Sequence, residues 1–217
     1  MIPKFLPDDS NDFPSPEQAN ELGILAIGGN LLFETLLKAY RLGTFPWFND
    51  DDPIVWHHPD PRFVLLPKKL RVSHSMKNVI NKNLFRFSVD KDFAGVIKNC
   101  RAIKRKDEAG TWISDKIEEA YTRLFEKGFA HSAEAWQNNR LVGGLYGVLL
   151  GKVFFGESMF AHKDNASKFA FIKMVEVLEN NGIELIDCQI YTKHLESLGG
   201  EFIERAEFVS LLKKLIP

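Results

Sequence analysis

Few cysteines and no long apolar run are present, and both shortages restrict the class of protein. Cys100 and Cys188 are the two cysteines of the 217 residues, too few for a disulfide framework, so we expect reduced thiols in a cytoplasmic protein. The longest nearly apolar run, residues 141–151, is about half as long as a membrane-spanning helix requires, so we expect no membrane span. Residues 1–12 hold one lysine and three aspartates without an apolar segment, so we expect no secretory signal there.

The formal net charge of −1 hides an uneven distribution along the chain. Residues 1–62 carry four Lys/Arg and ten Asp/Glu, residues 67–106 carry twelve and two, and residues 107–217 carry twelve and seventeen. The middle block therefore has a net charge of +10, which is typical of a surface that contacts a polyanion such as nucleic acid. A lysine-rich face that is merely solvated gives the same pattern, so both interpretations stay open.

Hydrophobic residues make up 45% of the chain and charged residues 26%, which is typical of a globular protein with a real core. Pro and Gly punctuate residues 1–62 around one amphipathic helix over residues 33–40, with Asn30 as its predicted cap and Gly43 as its predicted end. We expect a small N-terminal α+β domain over residues 1–62 and a larger domain over residues 63–217.

The larger domain is predicted to alternate strands and helices. Apolar alternation predicts strands over 63–66 and 84–89, and Ser114 is expected to cap a helix that Gly128 ends. The next predicted elements are a hairpin turning at Asn138-Asn139, a strand over 153–157, a loop over 158–164, a helix capped by Asn165, a strand over 183–191 and a helix over 206–215. This order predicts an α+β fold and resembles the N-acetyltransferase (GNAT) superfamily.

Two polar residues on the apolar strand over residues 185–191 are candidate catalytic groups. Because side chains alternate along a strand, Asp187 and Gln189 share one face, whereas Cys188 lies on the other and is expected to be a core residue. The pair either forms the floor of a cleft or is a buried structural hydrogen bond, since burying unpaired polar groups costs several kcal/mol. Glu157, at a predicted strand end, is either a ligand-binding carboxylate or an exposed one.

Cofactors and metals are not indicated by the sequence. The predicted link over residues 158–165 contains no glycine, whereas GNAT enzymes carry a glycine-containing pyrophosphate loop there, so we expect no coenzyme A and no other cofactor. His57 and His58 are neighbours that point in opposite directions on an extended chain, and no third ligand follows at a suitable spacing, so we expect no metal site.

Several aromatic residues lie in or beside Pro/Gly-rich segments and outside periodic core stripes: Tyr40, Phe45, Trp47, Trp56 and Trp112. Aromatic rings beside a basic surface can stack on exposed nucleic-acid bases. The alternative is that they fill the interface between the two domains.

Eleven ordered motifs between Phe13 and Arg205 resemble the leucyl/phenylalanyl-tRNA–protein transferase family. They include Gly28-Gly-Asn30, Gly43-Thr-Phe-Pro-Trp-Phe48, Pro59-Asp-Pro-Arg62, Gly110-Thr-Trp-Ile113, Gly156-Glu-Ser-Met-Phe160, Leu185-Ile-Asp-Cys-Gln189 and His194-Leu-Glu-Ser-Leu-Gly199. The resemblance implies a cytoplasmic bacterial enzyme with a GNAT-like domain. Such an enzyme takes Leu or Phe from aminoacyl-tRNA and joins it to the α-amine of proteins that begin with Arg or Lys, marking them for degradation.

The same resemblance implies roles for individual residues. Asp187 and Gln189 match the catalytic pair, and Glu157 the carboxylate near the reacting amino group. The aromatic positions that match the site of the terminal adenosine are Trp47 and Trp112, with Tyr121 nearby. Tyr40 and Phe45, from the loop aromatics above, are further candidate substrate-binding residues. The apolar pocket for the transferred side chain is matched by Leu145, Met159, Phe171 and Met174. The chain departs from the family at His57, where an aromatic residue is expected after Trp56.

The basic block and the resemblance together predict tRNA-contacting cations at Lys68, Lys69, Arg71, Lys77 and Lys82. Because an aminoacyl ester is already activated, the enzyme mainly has to align it with an amine. We expect a monomer. The alternatives are a non-catalytic RNA-binding module, or a GNAT-type acyltransferase that uses another acyl donor.

Overall fold

The computed structural model describes residues 2–50, 52–103 and 113–216. These residues form eleven strands and seven α-helices arranged around two sheets, so the predicted α+β class is confirmed. None of the helices in these ranges is both long enough and apolar enough to cross a membrane.

A four-stranded sheet forms the N-terminal part of the molecule, with strand order β1-β2-β4-β3. Its strands are β1 (Lys4–Leu6), β2 (Ile24–Gly28), β3 (Phe45–Pro46) and β4 (Val55–His57), and helix α1 (Phe33–Arg41) connects β2 to β3. Asn30 stabilises the start of α1 but is not its cap, which is Leu32. The Asn30 side-chain oxygen accepts hydrogen bonds from the Leu32 N–H at 3.0 Å and the Thr35 hydroxyl at 2.7 Å.

A seven-stranded sheet forms the rest, with strand order β11-β5-β10-β9-β8-β7-β6. Its strands are β5 (Arg62–Leu65), β6 (Arg86–Val89), β7 (Ala130–Gln137), β8 (Arg140–Leu150), β9 (Val153–Ala161), β10 (Leu185–Gln189) and β11 (Glu201–Ile203). The pairs are antiparallel except β9 and β10, which run parallel. The helices are α2 (His74–Asn81), α3 (Phe93–Ala102), α4 (Asp115–Glu126), α5 (Ala166–Asn180), α6 (Lys193–Ser197) and α7 (Arg205–Leu215).

Local sequence signals locate several of these elements correctly. Asn138 and Asn139 have φ angles of 51° and 59°, as a tight hairpin turn between β7 and β8 requires. The Ser114 hydroxyl accepts the Ile117 N–H at 3.3 Å and caps α4, as predicted. Asn165 is the N-cap residue of α5, as predicted, but it has a left-handed conformation and its side chain makes no capping hydrogen bond.

The predicted loop over residues 158–164 is wrong in its first half, because β9 continues to Ala161. Ser158 and Phe160 are buried and alternate with the more exposed Met159, so the segment has strand periodicity. Met159 pairs with Leu145 of β8. With this extension of β9, Met159 lines the same cavity as Gln189 at the carboxyl end of β10.

Two apolar clusters cover the two faces of the seven-stranded sheet. One contains residues of the N-terminal sheet, α1, α3, α4 and α7, and includes Trp56, Phe155 and Phe208. The other contains residues of α2, α5 and α6 packed on the opposite face, including Phe63 and Ile186. The N-terminal sheet therefore shares a continuous core with the larger sheet, and the division at residue 62 stays a prediction.

Candidate active site

A cavity of about 490 Å³ opens where the parallel strands β9 and β10 separate. The two strands pair as far as Phe155 and Asp187. Beyond that pair the cavity is lined by residues of both strands and of β3, β8, α5 and α6. Its volume lies in the range typical of small-molecule sites.

A second groove, between α3 and α4, has a larger volume of about 910 Å³ but is less suited to a ligand. Its lining side chains are mostly charged, and Arg101 pairs there with Asp115 and with Glu118, the latter at 3.3 Å. Because these charges neutralise one another on an exposed surface, we place the candidate active site at the β9–β10 cavity.

Glu157 is directed into the site by a β-bulge. On β9, Gly156 pairs with Gly147 and Ser158 with Tyr146, so Glu157 is an extra residue with no partner opposite it on β8. Such bulges redirect a side chain, and they are frequent beside active sites. The strand signal in the sequence locates Glu157 but not this bulge.

Three donors hold the Glu157 carboxylate. Tyr40 and Gln189 donate to Oε1 at 2.8 and 2.9 Å, and Tyr121 donates to Oε2 at 2.9 Å. Burial raises the pKa of Glu157 to about 7, because desolvation outweighs these hydrogen bonds and the nearby charge of Asp187 acts in the same direction as desolvation. Burial and the charge of Glu157 raise the pKa of Tyr40 and Tyr121, so both phenols remain donors.

Asp187 is wholly buried and paired with Arg62. The guanidinium donates from Nε to Oδ1 at 2.8 Å and from Nη2 to Oδ2 at 2.6 Å, which is a bidentate ion pair. Arg62 is itself buried between the rings of Phe45 and Phe208, at 4.9 and 4.7 Å from their centroids. Asp187 is therefore held in place as a carboxylate acceptor.

Gln189 adopts a left-handed backbone conformation at the end of β10. Its φ angle is 63°, which is uncommon for a residue other than glycine. The Asp187 Oδ1 accepts the Gln189 backbone N–H at 2.9 Å and stabilises this conformation. The side-chain amide donates to Glu157, so a continuous line of hydrogen bonds runs from Arg62 through Asp187 and Gln189 to Glu157.

Cys188, on the same strand, is not the core residue that the sequence predicted. It packs beside Ile186 on the opposite face from Asp187, but it is half-buried and lines the cavity. Burial, together with the charge of Asp187, raises the pKa of its thiol.

The predicted aromatic residues differ in their exposure and in whether they line the cavity. Phe45 and Trp47 line the cavity, and Trp47 is partly exposed, as a stacking surface requires. Tyr40 and Tyr121 are wholly buried, so they are hydrogen-bond donors to Glu157 and not stacking surfaces, contrary to the prediction for Tyr40. Trp56 is also buried and donates to the Gly28 carbonyl at 2.9 Å, as the interface-filling alternative predicted.

Trp112 lies outside the residues that the structure describes. The departure from the family pattern at His57 leaves an aromatic contact in place, because the His57 ring lies 5.4 Å from the ring of Trp47. His58 points away from it and packs against Phe208. Among the described residues, no three His, Cys, Asp or Glu side chains are grouped to hold a metal ion.

Three of the four predicted pocket residues line the cavity, namely Leu145, Met159 and Phe171. Met174 does not, because it lies one turn further along α5 in the core. The prediction for Met174 is therefore wrong. Ile186 and Leu195 line the cavity instead, and the apolar periodicity of their segments did not distinguish them from ordinary core residues.

The five predicted tRNA-contacting cations are all exposed: Lys68, Lys69, Arg71, Lys77 and Lys82. Three of them follow β5, and two lie on α2 or directly after it. Lys69 pairs with Glu201 at 2.6 Å, which reduces its availability to a phosphate. Three more cations of the basic block, at residues 104–106, lie outside the described ranges.

Arg62 is the principal site residue that the sequence did not single out. It lies 125 positions from Asp187, and strand periodicity carries no information about a partner on another strand. The available signal was its place in Pro59-Asp-Pro-Arg62, one of the motifs that resembled the family.

Comparison with known proteins agrees with that resemblance. A family model described as leucyl/phenylalanyl-tRNA protein transferase matches residues 64–213, and one described as its N-terminal domain matches residues 29–60. A leucyl/phenylalanyl-tRNA–protein transferase of Flavobacterium johnsoniae is 51% identical over 93% of this chain and 95% of its own. A namesake from Syntrophobacter fumaroxidans is 46% identical over 100% and 92%.

Among solved structures, the chain is similar to an aminoglycoside acetyltransferase from an uncultured soil metagenomic sample. The TM-score is 0.39 at 14% identity, covering 62% of this chain and 89% of that one. This structural similarity is too low to indicate which reaction the chain catalyses.

Proposed function

The chain belongs to the leucyl/phenylalanyl-tRNA–protein transferase family, and from this premise we propose which residues of its cavity perform the aminoacyl transfer. The enzyme is an aminoacyltransferase that moves Leu or Phe from aminoacyl-tRNA to a protein. The proposed acceptor is the α-amine of a protein that begins with Arg or Lys. The proposed setting is the cytoplasm, and the proposed working form is a monomer.

The observation that supports the residue roles is the line of hydrogen bonds from Arg62 to Glu157. It places an amide and a carboxylate side by side at the edge of a cavity with one apolar wall. Gln189 donates its amide N–H to Glu157, which leaves its amide oxygen as an acceptor for the incoming amine. Glu157 then receives the α-ammonium of the donor amino acid.

The reaction is the aminolysis of an ester. The acceptor nitrogen attacks the donor carbonyl carbon, a C–N bond forms, the C–O bond to the ribose breaks, and the amine proton leaves to the ribose oxygen. An α-amine has a pKa of about 7.7–8.0, so a useful fraction is neutral at pH 7 without a strong base. Gln189 orients that amine, and Asp187 acts through Gln189 as a positioning residue.

The donor occupies two parts of the cavity in this proposal. Trp47 stacks on the terminal adenosine, Phe45 also lines the cavity, and Trp112 keeps the role that the resemblance implies. The transferred side chain enters the apolar part formed by Leu145, Met159 and Phe171. Met159 is unbranched and flexible, which suits a pocket that admits both Leu and Phe.

The test is a transfer assay with charged Phe-tRNA and a peptide that begins with Arg. The wild type should extend the peptide by one residue. Gln189→Ala should lower kcat by roughly 10²–10⁴ with the fold intact, because an orienting group for the amine is lost. The matched control is Gln137→Ala, at the far end of β7, which should transfer at the wild-type rate.

Two results would favour the alternatives. Tight binding of Phe-tRNA without any peptide extension would indicate a non-catalytic RNA-binding module. Extension with a small acyl donor, but not with aminoacyl-tRNA, would indicate a different acyltransferase.

A further inference from the structure

Three large apolar side chains are exposed together where β10 and β11 end. Ile190, Tyr191 and Phe202 are 41%, 38% and 53% exposed, and we call them the edge patch. The rings of Tyr191 and Phe202 stack at 5.6 Å with an interplanar angle of 21°. Phe63 supports both rings edge-on from below, at 5.3 and 4.9 Å. The patch is therefore an ordered aromatic surface, and not a set of isolated exposed residues.

The edge patch adjoins an unpaired strand edge. Within the described ranges β11 pairs with β5 alone and is the terminal strand of the seven-stranded sheet. An open edge presents backbone N–H and C=O groups that can pair with another extended chain. Apolar rings beside such an edge suit a polypeptide, which has both backbone polar groups and apolar side chains.

The patch is continuous with the candidate active site. Ile190 directly follows Gln189 and lines the cavity, as do Thr192 and His194. Gln189 and Phe202 both lie opposite Phe63 on β5, so the patch is two strand spacings, about 10 Å, from Gln189. An extended chain advances about 3.3 Å per residue, so the third to fifth residues of an acceptor whose amine lies at Gln189 reach the patch.

The charges at the patch favour a polypeptide over RNA. The Tyr191 hydroxyl donates to the Glu196 carboxylate at 2.8 Å, and the Glu201 carboxylate on β11 pairs with Lys69. Lys69 neutralises Glu201, whereas Glu196 has no ion-pair partner among the described residues and repels a phosphate at this rim. The donor side chain and adenosine are proposed to occupy the opposite parts of the cavity, around Met159 and Trp47.

We propose that the edge patch binds the segment of the acceptor polypeptide that follows its N-terminal residue, as an extended segment that crosses β5 towards β11. This proposal rests on the proposed function, because it needs the acceptor amine at Gln189. It predicts that longer acceptors bind more tightly than a dipeptide, and that apolar residues at positions three to five add most of the difference.

The experiment compares two acceptors, an Arg-Ala dipeptide amide and a hexapeptide that begins with Arg and has apolar residues at positions three to five. In Phe202→Ala, the KM for the hexapeptide should rise about tenfold, a loss typical of removing an aromatic contact. The KM for the dipeptide, the KM for Phe-tRNA and kcat should stay at wild-type values. Tyr191→Ala, a second variant, should show the same selectivity.

The matched control is Phe5→Ala, because Phe5 is 70% exposed on β1 of the other sheet. Its kinetic constants should equal those of the wild type for both acceptors. An unchanged hexapeptide KM in both patch variants would overturn this proposal alone. A rise in the KM for Phe-tRNA instead would assign the patch to RNA and overturn it as well. Failure of the wild type to extend either acceptor would overturn the proposed function and this proposal with it.

Discussion

Arg62 and Asp187 form an ion pair that is wholly enclosed by protein, and each residue depends on the other. Removing one partner of such a pair leaves an uncompensated buried charge, which costs about 3–5 kcal/mol. We therefore expect Arg62→Met and Asp187→Ala each to lower the free energy of unfolding, measured with urea, by about this amount. Strand periodicity alone gives no reason to expect a loss of stability from Asp187→Ala.

The double variant Arg62→Met/Asp187→Leu is the control for this prediction. It removes both charges together, so it should recover much of the lost stability while remaining inactive. If the single variants unfolded at the same urea concentration as the wild type, the ion pair would not stabilise the fold.

Glu157 gives the protein a pH dependence of definite sign. Its pKa is raised from 4.5 to about 7, so between these values the folded state binds a proton that the unfolded state has released. The contribution of Glu157 to stability is therefore most favourable below pH 4.5, and it declines as the pH rises to 7. Relative to Glu157→Gln, the wild type should lose unfolding free energy between pH 5 and pH 7.5, measured by urea titration at both values.

Glu184 supplies a control of opposite sign. Its hydrogen bond with Lys152 lowers the pKa of its carboxyl, so Glu184 contributes stability that is lost as the pH falls. Glu184→Gln should leave the decline between pH 5 and pH 7.5 in place. The same decline in Glu157→Gln would contradict the assignment to Glu157.

At the scale of elements, our proposal assigns the choice of the transferred side chain to the wall that α5 and β9 build around the cavity. Met159 lines that wall and Met174 lies behind it in the core. Met159→Phe should narrow the pocket and shift the preference from Phe towards Leu in a competition assay with both charged tRNAs. Met174→Ala should instead lower stability by about 2–5 kcal/mol and leave the Leu:Phe ratio unchanged. If Met174→Ala shifted the Leu:Phe ratio and Met159→Phe did not, then Met174, and not Met159, would line the pocket.

Element type and order could be predicted from local signals, because turns and caps have local causes. The Asn138-Asn139 turn and the Ser114 cap each depend on residues a few positions apart. The extension of β9 to Ala161 could not be predicted, because its pairing with β8 decides it. Helix α3 was not predicted either, although its cap is local, with Asp92 accepting the Gly95 N–H at 2.9 Å.

The residues of the candidate site could be predicted from the sequence, but the geometry of the site could not. Asp187, Gln189 and Glu157 were identified from strand faces and from the family resemblance. The bulge at Glu157, the left-handed Gln189 and the Arg62 pair arise from contacts between distant strands. Strand periodicity indicates on which face of the sheet a residue lies, but it does not indicate which residue on another strand contacts it.

At the scale of the whole molecule, the basic block should make tRNA binding depend on salt. If four to six cations contact phosphates, the affinity should fall with a log–log slope of roughly minus three to minus five. Because Lys69 is paired with Glu201, the exposed Lys77 and Lys82 are the better test. Lys77→Ser/Lys82→Ser should flatten the slope by about two, equally for Leu-tRNA and Phe-tRNA.

The matched control is Lys213→Ser/Lys214→Ser, which removes two exposed lysines from α7. It should leave the slope of the wild type unchanged. Equal slopes for all three proteins, measured by filter binding between 50 and about 200 mM salt, would show that the block is only a solvated surface.

The position of Arg62 between Phe45 and Phe208 also makes the candidate site depend on two elements that are far apart in the sequence. Phe45 belongs to β3 of the four-stranded sheet, whereas Phe208 belongs to α7, the last helix of the described residues. Until α7 docks, one side of the guanidinium remains open to water, and the Asp187 that it holds is not yet fixed. The candidate site is therefore complete only in a molecule whose α7 has docked, although α7 itself does not line the cavity.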